Sequence, residues 1–473
     1  MNQPPVVVPA FARFLDQVVF GALLVTIGLA AVPYGTVQPW WISIFECLIF
    51  LIATLSIIEM LVGRQWSLDL SLWTPLLVLC LFGGIQSLRL FSGPAPINAP
   101  RALSADPQGT QAVVLQLFAL IITALLLIRY TSTRARLLKL IYVIIGVGIA
   151  SAIFGIVRKN MQTSPGFLLP ALPVGDRSFA QFINKNHFAF LIEMSLGLTL
   201  GLLVGKGSVR RRLVFLPVGA LLWVALIYSN SRGGILASLC EFLFLGVLLD
   251  PVRHLTKVEG RSKWSRFQNL LGGVAVRVFL LAGVVGLFAY GVGWVGGEPV
   301  VSNFQNAATD FSQQEMHDNI NTSRKEIWSA SWQMAKANPI TGVGIGGYWI
   351  GIARHHRASG EITPQQAHND YLELLASGGL IGCALVAWFL VGFIRDATRR
   401  LRTADSFGRA TSIGALAGIF GVAVHSFVDF GLHITINAVV FFALIVIAVY
   451  QDQPTDAKGG SGAKTLAPLP SGT

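Results

Sequence analysis

The chain has 473 residues, 53% of them hydrophobic and only 12% charged, with a formal net charge of +12. A mean hydropathy of +0.63 and recurring apolar runs of about 20 residues exclude an ordinary soluble domain. The runs are continuous rather than alternating, which excludes a β-barrel and predicts an all-α polytopic membrane protein.

In chain order, the N-terminus MNQPPVVVPAFARFLDQ lacks a basic start and a small-residue cleavage site, so the first helix is expected to be retained. The apolar runs predict about 12 transmembrane helices at 13–32, 40–62, 72–90, 111–129, 138–158, 186–204, 213–229, 232–250, 274–295, 374–394, 411–427 and 434–451. Basic clusters follow the fourth, sixth, eighth and tenth runs: Arg129–Lys139, Lys206–Arg212, Arg253–Arg266 and Arg395–Arg409. If the spans alternate, these clusters share one side, which the positive-inside rule makes cytoplasmic, and both termini are expected there. The net charge is therefore read as loop orientation, not as a nucleic-acid surface. Cys47, Cys80, Cys240 and Cys383 all fall in apolar runs, with neither metal-ligand spacing nor an evident disulfide pairing.

The expected organisation is helices one to nine in 1–295, a large external loop at 296–373, helices ten to twelve in 374–451 and a disordered cytoplasmic tail at 452–473. The tail is rich in Gly, Pro, Ser and Ala. In the large loop, NFQNAATDFSQQEMHD and TSRKEIWSASWQMAKAN suit short amphipathic helices. The second is read with Ile327, Trp328, Trp332 and Met334 as its apolar side and is ended by Asn338-Pro339. Such helices would lie on the membrane surface as a lid or platform.

Chemistry-bearing groups gather at the external ends of the spans. Seven of the eight histidines (187, 317, 355, 356, 368, 425 and 433) fall there. His425, Asp429 and His433 share one face at i, i+4 and i+8 if a helix persists, but a turn near 430 favours a hydrogen-bonded cluster over a metal site. Arg232, in NSRGG, sits at a tight turn whose glycines allow close ligand approach, and its guanidinium suits phosphate. Lys185 and His187 open the sixth span in FINKNHFAFLIEM. Glu193 and Glu241 are intramembrane carboxylates, read as functional candidates or structural hydrogen-bond partners. GVGIGG at 342–347 follows no strand, so it is read as backbone hinges or close contacts and not as a dinucleotide site.

NSRGG, NKNHFAFLIEM, TSRKEIW, NPITGVGIGGY, HNDYLELLASGG and HSFVDFGLHI, in this order with a long external loop, resemble the O-antigen ligase and O-antigen polymerase superfamily. The resemblance implies a GT-C-like integral inner-membrane glycosyltransferase of a bacterium. It implies transfer of a glycan from undecaprenyl diphosphate to an acceptor hydroxyl on the periplasmic face, without metal or other cofactor. It implies His368 as general base and Arg232 and Arg324 as diphosphate ligands, assisted by Lys185 or Arg177. His187, Asn369, Tyr371, His425 and Asp429 would support them. Lys185 stands where members often have Arg, and Gly431 where Asn is common.

The expected partners are the lipid-linked donor and a lipid A core or glycan acceptor, with a ligase-like activity favoured. A polymerase and a protein O-oligosaccharyltransferase differ from it only in acceptor. A lipid-linked-glycan transporter would also use twelve spans, but it predicts internal repeats and charges deep in several helices.

Overall fold

The computed structural model describes residues 9–32, 34–63, 69–90, 102–161, 178–205, 209–249, 324–356 and 364–450. Among them are the helices α1 Ala10–Ala30, α2 Pro39–Gly63, α3 Thr74–Ser87, α4 Pro107–Tyr130, α5 Arg134–Met161, α6 Lys185–Val204, α7 Val209–Ser229 and α8 Arg232–Leu249. After these come α9 Arg324–Ala337, α10 Tyr348–Ile352, α11 Asp370–Thr403, α12 Ser406–His425, a 3₁₀ turn Gly431–His433 and α13 Thr435–Val449. Eight of the described helices are long and apolar enough to cross a membrane, and α3 and α13 are shorter apolar helices. This is an all-α polytopic membrane protein. The expected ninth span at 274–295 lies outside the described residues, as do NFQNAATDFSQQEMHD and the tail.

The helix ends follow local side-chain chemistry. Asp106, Asn184, Asn369 and Asp405 cap α4, α6, α11 and α12, each accepting from a backbone N–H of the first turn. α6 is the central helix, with nearly every residue from His187 to Leu202 buried, and it packs most extensively on α12. Small residues permit that approach: a Cβ at Gly201 would stand 2.6 Å from Gly414 Cα, and one at Gly197 2.5 Å from Gly418 N. Close packing of small residues is how helices associate where lipid supplies no hydrophobic drive. By contrast α1, α2 and α3 turn residues such as Phe14, Leu51 and Leu81 outward, as lipid-facing helices do.

Residues 324–356 and 364–369 are folded onto this bundle. α9 buries Ile327, Ala330, Ser331, Met334 and Ala335, a 3.6-period stripe that Tyr348, Ile352 and Ala376 complete. This corrects the expected apolar side: Trp332 is 51% exposed, and Trp328 instead donates its Nε1–H to Ala367 O at 3.0 Å. α9 ends at Ala337, just before Asn338-Pro339 as expected.

The GVGIGG glycines are contacts. Gly342 and Gly344 have φ of +66° and +100°, and the loop they form is held from two sides. Gln86 donates to Thr341 O and accepts from Ile345 N, while Ala105 N donates to Val343 O. On the other side, Val343 N and Gly344 N donate to Ala376 O and Ser377 O, and Leu380 N and Ile381 N donate to Pro339 O and Ile340 O.

That pairing is possible because α11 is broken at Gly379, where φ is +61°. The break frees carbonyls and N–H groups that an unbroken helix would use internally. The tenth span, expected at 374–394, is therefore a short piece from Asp370 followed by a long one ending at Thr403.

Candidate active site

The starts of α6, α8, α9 and α11 converge with the turn that follows α12. Asp429 in that turn is fully buried and gathers the others. Its Oδ2 accepts from Asn186 Nδ2 and lies 3.7 Å from Arg324 Nη2. Its Oδ1 accepts from Phe430 N at 2.9 Å and lies 3.4 Å from His368 Nδ1. At that distance the imidazole contact is electrostatic more than a tight hydrogen bond. Burial alone would raise the Asp429 pKa, but the His368 contact and the charges of His187, His368 and His425 outweigh it and hold the group well below the usual carboxylate range. Asp429 is thus an ionised carboxylate aimed at His368 and Arg324.

Each neighbour is placed by its own element. Asn184 caps α6, so Lys185, Asn186 and His187 form its first turn. The preceding turn is fixed by Arg158, whose Nη1 donates to Ala180 O at 2.9 Å, and by Phe179, whose ring packs at a tilt against Phe188. The α7–α8 turn passes through Asn230 at φ +56°. There Ser231 Oγ donates to Asn186 Oδ1 at 2.8 Å, which ties the residue before Arg232 to the residue after Lys185. Gly233 rests on His425: an added Cβ would lie 2.5 Å from its Nε2. His425 Nδ1 is 2.8 Å from Glu193 Oε1, and the ring stacks on Phe190.

His368 adopts φ +51°, a left-handed conformation that costs a non-glycine residue about 1–3 kcal/mol. The surroundings impose it. Ala367 is held on both sides, its N–H donating to Glu373 Oε2 at 2.7 Å and its carbonyl accepting from Trp328. Asn369 then caps α11, accepting from Leu372 N at 3.0 Å, and Asp370 N donates to Ser426 O. The His368 ring is left 33% exposed, edge-on to Phe430 with centroids 4.7 Å apart. His187 approaches the same phenyl ring at 4.9 Å.

The expected residues thus divide. His368 and Arg324 both approach the Asp429 carboxylate, and His187 borders the group through Phe430. Arg232 and Lys185 stand at the helix starts that Ser231 and Asn186 join. Asn369 is a cap. Tyr371 donates to Ala423 O at 2.7 Å and packs on Phe427, so it fastens α11 to α12 beyond the Asp429 cluster. Arg177 lies outside the described residues. His425, Asp429 and His433 do not share a helix face, because α12 ends at His425, and they take different partners: Glu193, the His368 group, and Asp370 with Glu373.

Asn186, Ser231 and Phe430 are the residues that sequence reasoning missed as members, and His433 was singled out only as a companion of His425 and Asp429. Asn186 and Ser231 were legible only as neighbours of the cations in NKNH and NSRGG. Glu241 is buried in the bundle beside Gly197 and Gly421 on the α6–α12 seam, away from this cluster.

Residues 217–389 match the family described as O-antigen ligase. The chain is also similar to the exopolysaccharide production protein ExoQ of Rhizobium meliloti (strain 1021). The two are 25% identical over 227 residues, covering 46% of this chain and 44% of ExoQ. The chain thus aligns with less than half the length of that relative. The match encloses Arg232, Arg324, His368 and the α11 break, and the resemblance to the O-antigen ligase and polymerase superfamily read from the motifs is borne out by these two findings.

Proposed function

We propose that the protein transfers a glycan from undecaprenyl diphosphate to an acceptor hydroxyl at the periplasmic face of the inner membrane, as an O-antigen ligase with the lipid A core as acceptor. The superfamily match supports a membrane glycosyltransferase of the ligase or polymerase type. The observation that carries the finer reading is the Asp429 cluster, in which an imidazole and a guanidinium share one ionised carboxylate at the mouths of several spans.

The chemistry follows from the charges. The acceptor oxygen attacks the anomeric carbon, the bond from that carbon to the diphosphate oxygen breaks, and the acceptor proton passes to His368 Nε2. Asp429 beside Nδ1 stabilises the imidazolium that forms, which is how an oriented carboxylate assists an imidazole base. Arg232 and Arg324, with Lys185 and Arg177, neutralise the departing diphosphate, so the leaving group's charge is met by side chains and not by a metal. A single displacement of this kind inverts the anomeric centre. The orientation that supports it places both termini in the cytoplasm.

A polymerase is the second reading, favoured by the name of ExoQ, an exopolysaccharide production protein. A deletion strain complemented with wild type, His368→Ala, Arg232→Ala or Arg324→Ala separates them on a gel of surface glycans. The ligase reading predicts that each variant leaves lipid A core without polymer. A single attached repeat indicates a polymerase, and a wild-type ladder from all three variants removes the mechanism.

A further inference from the structure

We propose that His433 is a second functional imidazole of this site, presenting an N–H donor to the acceptor sugar while Asp370 and Glu373 hold its ring. The inference rests on the glycosyl-transfer reading and assigns the side of the site at which the acceptor is bound. His433 Nε2 lies 3.5 Å from Asp370 Oδ1 and 3.4 Å from Glu373 Oε1, which leaves Nδ1 as the ring's other donor. The two acids occupy the first turn of α11, directly after His368 and its cap Asn369.

His433 and His368 flank the same phenyl ring, both edge-on to Phe430, at 6.0 and 4.7 Å. The His433 side chain is 38% exposed, whereas His187 and His425 are buried. Its place is fixed: Asn437 Nδ2 donates both to Gly431 O, in the same 3₁₀ turn, and to His187 O on α6.

Charge decides which substrate this group suits. Two carboxylates around one imidazolium leave a net negative surrounding, which repels a diphosphate. The N–H donor left on the exposed ring, with the buried carboxylates of Asp370 and Glu373 behind it, instead matches a hydroxyl of a neutral sugar. The cation Arg324 reaches Asp429 and not this group. His368, touching both Asp429 and Phe430, therefore stands where a donor held by arginines meets an acceptor held by His433.

Among the described residues, the titratable groups facing His433 are Asp370 and Glu373 from α11, His187 from α6, and His368 and Asp429 beside Phe430. Burial would lower the His433 pKa, but Glu373 and Asp370 outweigh it and raise it to about 9. The ring is charged at neutral pH, and the donor is lost as the pH rises through that value.

The test uses membrane vesicles of a deletion strain carrying each variant, with the strain's own lipid-linked donor and added rough lipopolysaccharide as acceptor. Wild-type transfer is expected to fall above about pH 9. His433→Gln should remove that alkaline limb and raise the half-saturating acceptor concentration about 10-fold, the loss of one charge-assisted hydrogen bond, with donor half-saturation unchanged. Glu373→Gln should move the limb to lower pH, and His433→Lys should restore part of the acceptor affinity.

An unchanged limb and unchanged acceptor dependence in His433→Gln overturn the inference, even with His368→Ala inactive. If His433→Gln fails to insert, the limb position in Glu373→Gln decides: a shift upholds the inference and an unmoved limb overturns it. Wild-type transfer by His368→Ala, Arg232→Ala and Arg324→Ala instead shows that the underlying glycosyl-transfer reading has failed.

Discussion

Replacing Asp429 by Asn tests the electrostatic core of the site with little change of shape. The side chain is fully buried, and Asn186, Phe430 and Arg324 surround it along with His368. The amide keeps the volume and one acceptor oxygen but removes the charge beside His368 Nδ1. A unit-charge pair separated by the observed 3.4 Å is worth about 5 kcal/mol at an effective dielectric of 20. The His368 ring is 33% exposed, so solvent screening reduces that figure. Roughly 2 kcal/mol should remain in the transition state, where the imidazolium forms, and this is about a 30-fold loss of turnover.

The assay is single-turnover transfer by purified protein in proteoliposomes, with donor binding measured separately. Asp429→Asn is expected to lower the rate of the chemical step about 30-fold and to leave donor binding within a few-fold. Asp429→Ala should lose more, because Asn186 then loses its acceptor. A rate within threefold of wild type for Asp429→Asn, alongside an inactive His368→Ala, would refute the pairing of these two groups.

Three further predictions concern the frame around that pair. The depressed pKa of Asp429 means that its contribution to stability is complete above the ordinary carboxylate value near 3.9 and is lost as the pH falls below it. Melting in detergent from pH 7 to 3 should therefore decline less in Asp429→Asn than in wild type. Gly379→Ala places a Cβ at positive φ against the Ile340 carbonyl and should cost about 2–4 kcal/mol, whereas the neighbouring Gly378→Ala has room and should cost well under 1 kcal/mol. Met334→Ala should cost about 2–5 kcal/mol because the side chain is fully buried, and Trp332→Ala less than about 0.5 kcal/mol. Equal melting temperatures within either pair would contradict the packing described.

Much of this arrangement was legible in the chain because a membrane simplifies the physics. Long apolar runs have few alternatives to spanning helices, and eleven of the twelve expected spans coincide with described helices. What escaped prediction depends on side-chain direction and on contacts far apart in sequence. Ile327, Trp328, Trp332 and Met334 read as an apolar stripe by residue type. The helix buries Ile327 and Met334 but takes Ala330, Ser331 and Ala335 in place of the two tryptophans, because the partner surface is built from Tyr348, Ile352 and Ala376.

The α11 break gave no signal beyond ASGG. It becomes intelligible only when the 339–344 loop supplies hydrogen-bond partners for the opened backbone. His368, Arg324 and Asp429 could each be singled out from motifs, but their convergence on one carboxylate joins residues more than 40 positions apart. The same holds for His433, which the turn expected near 430 separated from a helix face shared with His425 and Asp429 without showing its partners. The end of α12 at His425 sends it to Asp370 and Glu373 instead.

The most direct test of the central claim is glycan transfer by the purified protein in proteoliposomes, with an undecaprenyl diphosphate-linked glycan as the sole donor and rough lipopolysaccharide as acceptor. Wild type should give product of inverted anomeric configuration, His368→Ala none, and Arg232→Ala and Arg324→Ala losses of at least about tenfold, the scale of one charge-assisted contact each. Wild-type transfer by all three correctly inserted variants, or a product of retained configuration, would contradict that claim.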